Sequence, residues 1–159
     1  MNIGNALAVG ENEHEVSLKV QQYCTFFLGD LYLGVAVEDV QEVIRQQEMT
    51  PVPLSSPLVK GIVNLRGQIV TALDLRHRFG MSAYEKPPMN IVIRADDGPV
   101  SLLVDEIGDV VELDQSSYEA TPETVDKLSA ELVTGVFKLQ GKLLLVLGLD
   151  KAIQFSEAA

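Results

Sequence analysis

The stretch GIVNLRGQIVTALDLRHRF (61–79) returns later in the chain as GVFKLQGKLLLVLGLDKAI (135–153), and the two align without a gap. Both copies begin with a glycine, have a leucine and a second glycine in a short polar stretch, and carry two spaced leucines at the end of the following apolar run. This pattern predicts two short strands joined by a turn and followed by a short helix. A unit that repeats within one chain indicates that the protein consists of two similar halves.

A second internal similarity lies upstream of each hairpin, between GVAVEDVQEV (34–43) and SLLVDEIGDV (101–110). Apolar runs on either side of Gly-Asp at 29–30 and of Asp-Gly at 97–98 add one more predicted hairpin to each half. Short strands at even spacing are typical of small closed barrels. The expected fold is therefore mainly β, with two barrels of about five strands each and little helix.

The boundary between the halves is predicted at Lys86-Pro87-Pro88, because a double proline seldom lies inside a strand. We expect one domain over residues 19–159, with a first barrel at about 22–86 and a second at about 87–155. The sequence leaves open an exchange of strands between the halves. Residues 1–18 have mixed polarity and weak periodicity, which predicts a flexible N-terminal tail.

Composition and charge argue against several classes of function. The net charge of −11 over 159 residues opposes binding to nucleic acid or to an anionic membrane surface. The single cysteine rules out an internal disulfide framework and fits a reducing compartment. There is no apolar run long enough for a membrane span and no start typical of a signal peptide. A soluble, cytoplasmic protein is expected.

The residues that carry common catalytic chemistry are few. Cys24 lies in an apolar run without a nearby histidine, which favours a core residue over a nucleophile. The two histidines are His14, in the predicted tail, and His77, three residues after a predicted helix cap at Asp74. These residues predict no catalytic triad and no metal site, and the sequence contains no glycine-rich nucleotide motif that would indicate a cofactor.

The repeat serves as a control for Arg66. The first turn reads Asn64-Leu65-Arg66-Gly67 and the second Lys138-Leu139-Gln140-Gly141, so the leucine and the glycine persist while the arginine becomes a glutamine. The hairpin fold therefore does not require Arg66. One interpretation is a solvated charge at a turn; the other is a recognition residue, because the planar guanidinium suits carboxylates and polar partner surfaces.

A resemblance to a known family covers about residues 22–155. The string VKGIVNLRGQIVTALDLRHRFG (59–80), with EDVQEVI (38–44) upstream and LLVDEIGDVVEL (102–113) in the second half, resembles the CheW family of bacterial chemotaxis coupling proteins. The resemblance implies two SH3-like five-stranded β-barrels packed together with a groove between them. It also implies a non-enzymatic scaffold that joins the cytoplasmic tips of methyl-accepting chemoreceptors, bound at the groove, to the regulatory domain of a histidine kinase, bound at barrel ends.

The resemblance also implies a receptor-binding site. It pairs Arg66 with Glu42, and it matches Val40, Gly61 and Val110 to positions associated with receptor docking. Arg66 would either order the receptor surface through Glu42 or contact the partner directly, and both interpretations stay open. The site residues implied by the resemblance are therefore Val40, Glu42, Gly61, Arg66 and Val110.

Local sequence suggests how Glu42 would be placed. Asp39 is suited to cap a short helix in which Val40, Val43 and Ile44 face inward. Glu42 would then lie on the more polar face, near Arg66.

Other functions remain as alternatives. Within the same class, the chain would serve a pilus-type or other alternative chemosensory pathway, or be a coupling domain of a larger regulator. In a different class, a small ligand-binding or enzymatic β-barrel protein would use the cleft between the barrels. The leading expectation is a cytoplasmic adaptor of a two-component system, recruited to membrane receptor arrays through its partners, without nucleic-acid binding or membrane insertion.

Overall fold

The computed structural model describes residues 19–154, so the predicted tail at 1–18 lies outside the described residues. This part of the chain forms eleven strands and three short helices. The strands are β1 (Val20–Leu28), β2 (Leu31–Ala36), β3 (Val40–Ile44), β4 (Val59–Leu65), β5 (Gln68–Asp74), β6 (Met89–Ile93), β7 (Val100–Val104), β8 (Glu106–Asp114), β9 (Tyr118–Glu119), β10 (Val133–Leu139) and β11 (Lys142–Leu147). The helices are α1 (Leu75–Arg78), α2 (Lys127–Leu132) and α3 (Leu149–Ala152), and 3-10 turns span Val37–Asp39 and Gln115–Ser117.

The strands form two sheets that exchange segments between the halves of the sequence. The five-stranded sheet has the order β3-β6-β7-β5-β4, and the six-stranded sheet has the order β8-β1-β2-β11-β10-β9. Strand β5 of the first half runs parallel to β7 of the second, and β11 of the second half runs parallel to β2 of the first. The predicted ranges 22–86 and 87–155 therefore do not correspond to the two sheets, and the exchange that the sequence left open is what the structure shows.

The core explains why strands pair across the halves. A central cluster of buried residues joins both sheets and includes Phe26 and Leu33 from one and Ile91 and Leu102 from the other. Strands β6 and β7 are buried on both faces, since Leu102 packs in the central cluster and the adjacent Leu103 in a separate cluster within the five-stranded sheet. Successive side chains of a strand point to opposite faces, so these strands need apolar residues at almost every position.

Each sheet also encloses a smaller core of its own. In the six-stranded sheet this core contains Tyr23, Tyr32, Phe137 and Leu144, and the rings of Tyr23 and Phe137 meet edge to face with centroids 5.4 Å apart. The sixth strand of this sheet is β9, which has two residues and was not expected from the sequence. Small apolar clusters lie inside each curled sheet, and a larger cluster between them joins the two barrels through a shared core.

The repeated hairpins have the predicted structure in both halves. Strands β4 and β5 pair antiparallel and lead into α1, while β10 and β11 pair antiparallel and lead into α3. The carboxylate of Asp74 accepts a hydrogen bond from the backbone N–H of His77 and caps α1, as predicted. Within residues 19–154, no helix is long and apolar enough to cross a membrane.

Candidate functional site

Arg66 lies at the tip of the β4–β5 hairpin, in an unusual backbone conformation. The reversal consists of Arg66 and Gly67, with φ of 52° and 90°. Positive φ at both central residues produces the turn twist that fits a two-residue hairpin. The Asn64 Oδ1 atom accepts a hydrogen bond of 2.8 Å from the Gly67 N–H and closes the turn.

The Arg66 guanidinium meets the Glu42 carboxylate, as the resemblance implied. Arg66 Nη2 donates a hydrogen bond to Glu42 Oε2. The Arg66 side chain is 75% exposed and that of Glu42 is 21% exposed. An ion pair with so much solvent contact stabilises the fold little. The guanidinium has five N–H donors, and within residues 19–154 its one side-chain hydrogen bond is to Glu42, so most donors face solvent.

This contact also shows that the five-stranded sheet curls. Glu42 belongs to β3 and Arg66 to the tip of β4–β5, and β3 and β4 are the two outermost strands of that sheet. A contact between opposite edges requires the sheet to bend round on itself. Arg66 and Glu42 therefore lie where the first barrel closes.

The predicted helix around Glu42 is wrong. Residues 40–44 form strand β3, which pairs with β6, and Asp39 ends the preceding 3-10 turn rather than capping a helix. Val43 is exposed, whereas Glu42 and Ile44 are half-buried. The β-branched residues of VQEVI favour a strand, and pairing with the buried strand β6 outweighs the short helical spacing.

Gly61 is buried beneath the loop that leads into β4. A Cβ atom at Gly61 would lie 2.8 Å from the Thr50 carbonyl oxygen, and Thr50 exchanges backbone hydrogen bonds with Ile62. At the equivalent Gly135, a Cβ would lie 2.7 Å from the Glu119 carbonyl oxygen. Both halves use the missing side chain to let a crossing segment approach the hairpin, so this glycine is required by the fold.

The two remaining predicted site residues lie on different sheets. Val40 is half-buried in β3, opposite Ile93, and packs against the central cluster. Val110 is 57% exposed on β8 of the six-stranded sheet, opposite Cys24. The structure thus brings Arg66 and Glu42 together, and no strand pairing or side-chain hydrogen bond among residues 19–154 connects Val110 to them.

A groove of about 1030 Å³ separates the five-stranded sheet from helix α3. Its lining includes Ile69, Arg94, Val100, Leu149 and Asp150. None of the five predicted site residues lines it. The predicted site and this groove are therefore different surfaces.

An ion pair that the sequence reasoning missed joins the two sheets. Arg76 of α1 donates from Nε and Nη2 to both oxygens of Asp105, over 2.9 and 2.7 Å, and the Gly29 N–H at the β1–β2 turn donates to Asp105 Oδ2 over 2.6 Å. The hydrogen bonds from Arg76 hold the pKa of Asp105 below its usual value. Both side chains are mostly buried, at 13% and 23% exposed. The sequence alone gives no sign of this contact, because Arg76 and Gly29 lie far from Asp105 along the chain.

Tyr84 completes this junction. Its hydroxyl donates to the Leu103 carbonyl over 2.6 Å and accepts from the Arg76 backbone N–H over 3.3 Å. The Arg76 guanidinium lies 5.6 Å from the centre of the Tyr84 ring, within cation–π range. Burial raises the pKa of Tyr84, so the phenol stays protonated. The junction is therefore a packed structural contact in which each polar group has a partner.

The chain is similar to known proteins over most of its length. Residues 22–157 match the CheW-like domain family. The chain belongs to the CheW family. A chemotaxis protein CheW from Thermotoga maritima is 30% identical over 139 residues, which covers 87% of this chain and 91% of the relative. A chemotaxis protein CheW from Klebsiella aerogenes is 29% identical over 141 residues, which covers 87% of this chain and 85% of the relative.

A solved CheW structure confirms the fold. The crystal structure of scaffolding protein TtCheW from Thermoanaerobacter tengcongensis superposes with a TM-score of 0.77 at 27% identity, covering 86% of this chain and 94% of that chain. The expected class, two packed β-barrels with a few short helices, is thus confirmed for this CheW-family chain.

Cys24 is half-buried in this CheW-family fold, and burial raises the pKa of its thiol. The thiolate is the nucleophilic form of cysteine, so this environment makes Cys24 less reactive. The interpretation of Cys24 as a packing residue agrees with its place beside the central cluster.

Proposed function

We propose that this CheW-family protein is a non-enzymatic scaffold that couples the cytoplasmic tips of methyl-accepting chemoreceptors to the regulatory domain of a chemotaxis histidine kinase. The relatives from Thermotoga maritima and Klebsiella aerogenes are named as chemotaxis proteins, and the solved relative is described as a scaffolding protein. Coupling of this kind needs separate surfaces for two partners, and two packed barrels provide them.

The observation that carries the proposal is the exposed guanidinium of Arg66. Glu42 holds it by one hydrogen bond while most of its donors face solvent. The equivalent hairpin of the second half has Gln140 at this position and keeps the same strand pairing. The arginine is therefore dispensable for the hairpin and suited to a polar or anionic surface on a partner.

The five predicted site residues then have different physical roles. Arg66 contacts the receptor directly and Glu42 orients it, which combines the two interpretations that the sequence left open. Gly61 supports the site by admitting the loop at Thr50, whereas Val40 supports strand β3 from the core side. Val110 offers an exposed apolar contact on the second barrel.

The remaining partners follow from the same proposal. The kinase regulatory domain docks at barrel ends, away from Arg66. The net charge of −11 disfavours nucleic acid and anionic lipid, so the protein reaches membrane receptor arrays through its protein partners. No cofactor takes part.

The proposal is tested by co-sedimentation with a receptor cytoplasmic fragment and the histidine kinase of the same organism. We expect a ternary complex and a change in kinase autophosphorylation. Arg66→Gln, which installs the residue of the second hairpin, should weaken receptor binding without loss of kinase binding. The matched control Gln140→Ala should leave both unchanged. If the wild-type protein bound neither partner, the proposal would be rejected.

A further inference from the structure

The two hairpin tips differ in the residue that closes the turn. In the first tip, Asn64 Oδ1 accepts a hydrogen bond from the Gly67 N–H. In the second tip the equivalent residue is Lys138, whose ammonium group has no acceptor atom. The second turn therefore forms without this side-chain contact.

The φ angles of the two tips differ in sign at one position. Gly67 and Gly141 have similar φ values of 90° and 80°. Arg66 has a φ of 52°, and among residues 19–154 the other non-glycine residue with positive φ is Leu54, so Gln140 has a negative φ. The presence of Asn64 thus coincides with the left-handed conformation of Arg66.

This coincidence has a physical reason. A left-handed conformation is unfavourable for an arginine, because its Cβ approaches the following carbonyl oxygen. Asparagine side chains that bond to the backbone a few residues ahead stabilise such turns. The sign of φ also sets the direction in which the side chain leaves the turn, and Arg66 leaves it towards Glu42.

We propose that Asn64 is a positioning residue for partner recognition: its side-chain oxygen holds Arg66 in the left-handed conformation in which the guanidinium meets Glu42 and faces the partner. The affinity part of this inference rests on the proposed receptor docking at Arg66, whereas the conformational part stands on the free protein.

The test uses three variants of the whole protein. Asn64→Lys installs the residue of the second tip, and Asn64→Asp keeps an acceptor oxygen at the same place. Lys138→Asn is the matched control, since it makes the reciprocal change in the hairpin that lacks the arginine. Urea denaturation of each variant verifies that it is folded.

The first measurement is the affinity for the receptor fragment. Asn64→Lys should weaken receptor binding by about five- to tenfold, because the hydrogen bond that positions Arg66 is lost. Asn64→Asp should bind within about twofold of the wild type, and Lys138→Asn should bind equally well. In an Arg66→Ala background, Asn64→Lys should cause no further loss. An equal loss in that background, or a failure of Asn64→Asp to retain binding, would overturn the proposal.

The second measurement separates this inference from the proposed function. The three-bond coupling between the amide and α protons of Arg66 reports φ in the free protein. It should change in Asn64→Lys and be preserved in Asn64→Asp. If the wild-type protein bound no receptor fragment, the proposed function would fail, and the coupling would then decide the role of Asn64: an unchanged value in Asn64→Lys would overturn it.

Discussion

The hairpin tips at 64–67 and 138–141 have the same frame and different chemistry. Both pair a leucine with the first residue of the next strand, Leu65 with Gln68 and Leu139 with Lys142, and both place a glycine at positive φ. The first tip sends Arg66 across to Glu42 on β3, at the opposite edge of its sheet. The fold thus requires the leucine and the glycine, and leaves the polar positions open to recognition.

The second tip also carries an ion pair, but a local one. Lys138 Nζ lies 3.3 Å from Glu119 Oε1, on the neighbouring strand β9. Both of its side chains are exposed, so the pair adds little stability. What distinguishes the first tip is therefore the direction and the conformation of its charged residue rather than the presence of a charge.

The largest difference between the halves is expected at Asp105 and its counterpart Glu38. Asp105→Asn leaves the largely buried Arg76 without its carboxylate partner and should lower the free energy of unfolding by about 2 kcal/mol, below the full cost at a completely buried pair. Glu38→Gln, on an exposed residue that accepts a hydrogen bond from Gln21, should change it by less than about 0.5 kcal/mol. Urea denaturation measures the free energy of unfolding of both variants. Equal losses in the two variants would contradict the assignment of Asp105 as a contact between barrels.

The two equivalent glycines, Gly61 and Gly135, are expected to be equally sensitive to substitution. Gly61→Ala and Gly135→Ala should each lower the free energy of unfolding by about 1–3 kcal/mol, because each added methyl group meets a carbonyl oxygen of the crossing segment. Thermal and urea unfolding of the two variants provide the measurement. A fully stable Gly61→Ala protein that no longer bound the receptor fragment would instead make Gly61 a contact residue.

The Asp105 junction should also make stability depend on pH in the acid range. The pKa of Asp105 is lower in the folded protein than in the unfolded chain, so its contribution is fully present above the unfolded value of about 4 and disappears as pH falls through the folded value. The difference in stability between the wild type and Asp105→Asn should therefore shrink below about pH 4. Urea denaturation across the acid range tests this, and a difference that stayed constant would be inconsistent with it.

The smallest effect on stability is expected from exchanging the tips. Arg66→Gln and Gln140→Arg, alone or combined, should change the free energy of unfolding by less than about 0.5 kcal/mol, because both positions are exposed. Receptor affinity should fall with Arg66→Gln and should not return in the combined variant, since the second tip lacks the Asn64 contact. Recovery of affinity in the combined variant would show that an arginine at either tip can bind the receptor.

Much of the fold could be predicted from the internal repeat. Both hairpins, the helices that follow them and the cap at Asp74 are local features, and local features are encoded by residues close together in the chain. The pairing of β2 with β11 and of β5 with β7 could not be predicted, because a repeat shows which segments are alike and not which segments are neighbours.

The candidate site shows the same limit. The resemblance implied that Arg66 pairs with Glu42, and the structure contains this pair. The short helix predicted around Glu42 is instead a strand, because pairing with β6 decides the conformation of residues 40–44. The Arg76–Asp105 contact was missed because the two residues belong to different local motifs.

The exchange of strands has a consequence for biosynthesis. Strand β2 emerges early from the ribosome, yet Leu33 meets its parallel partner Leu145 only after almost all of the described chain has been made. Until then the nascent chain must keep the apolar residues of the β1–β2 hairpin from aggregating. The six-stranded sheet is therefore expected to close last, after translation has passed β11, while the five-stranded sheet has all its strands once β7 has emerged.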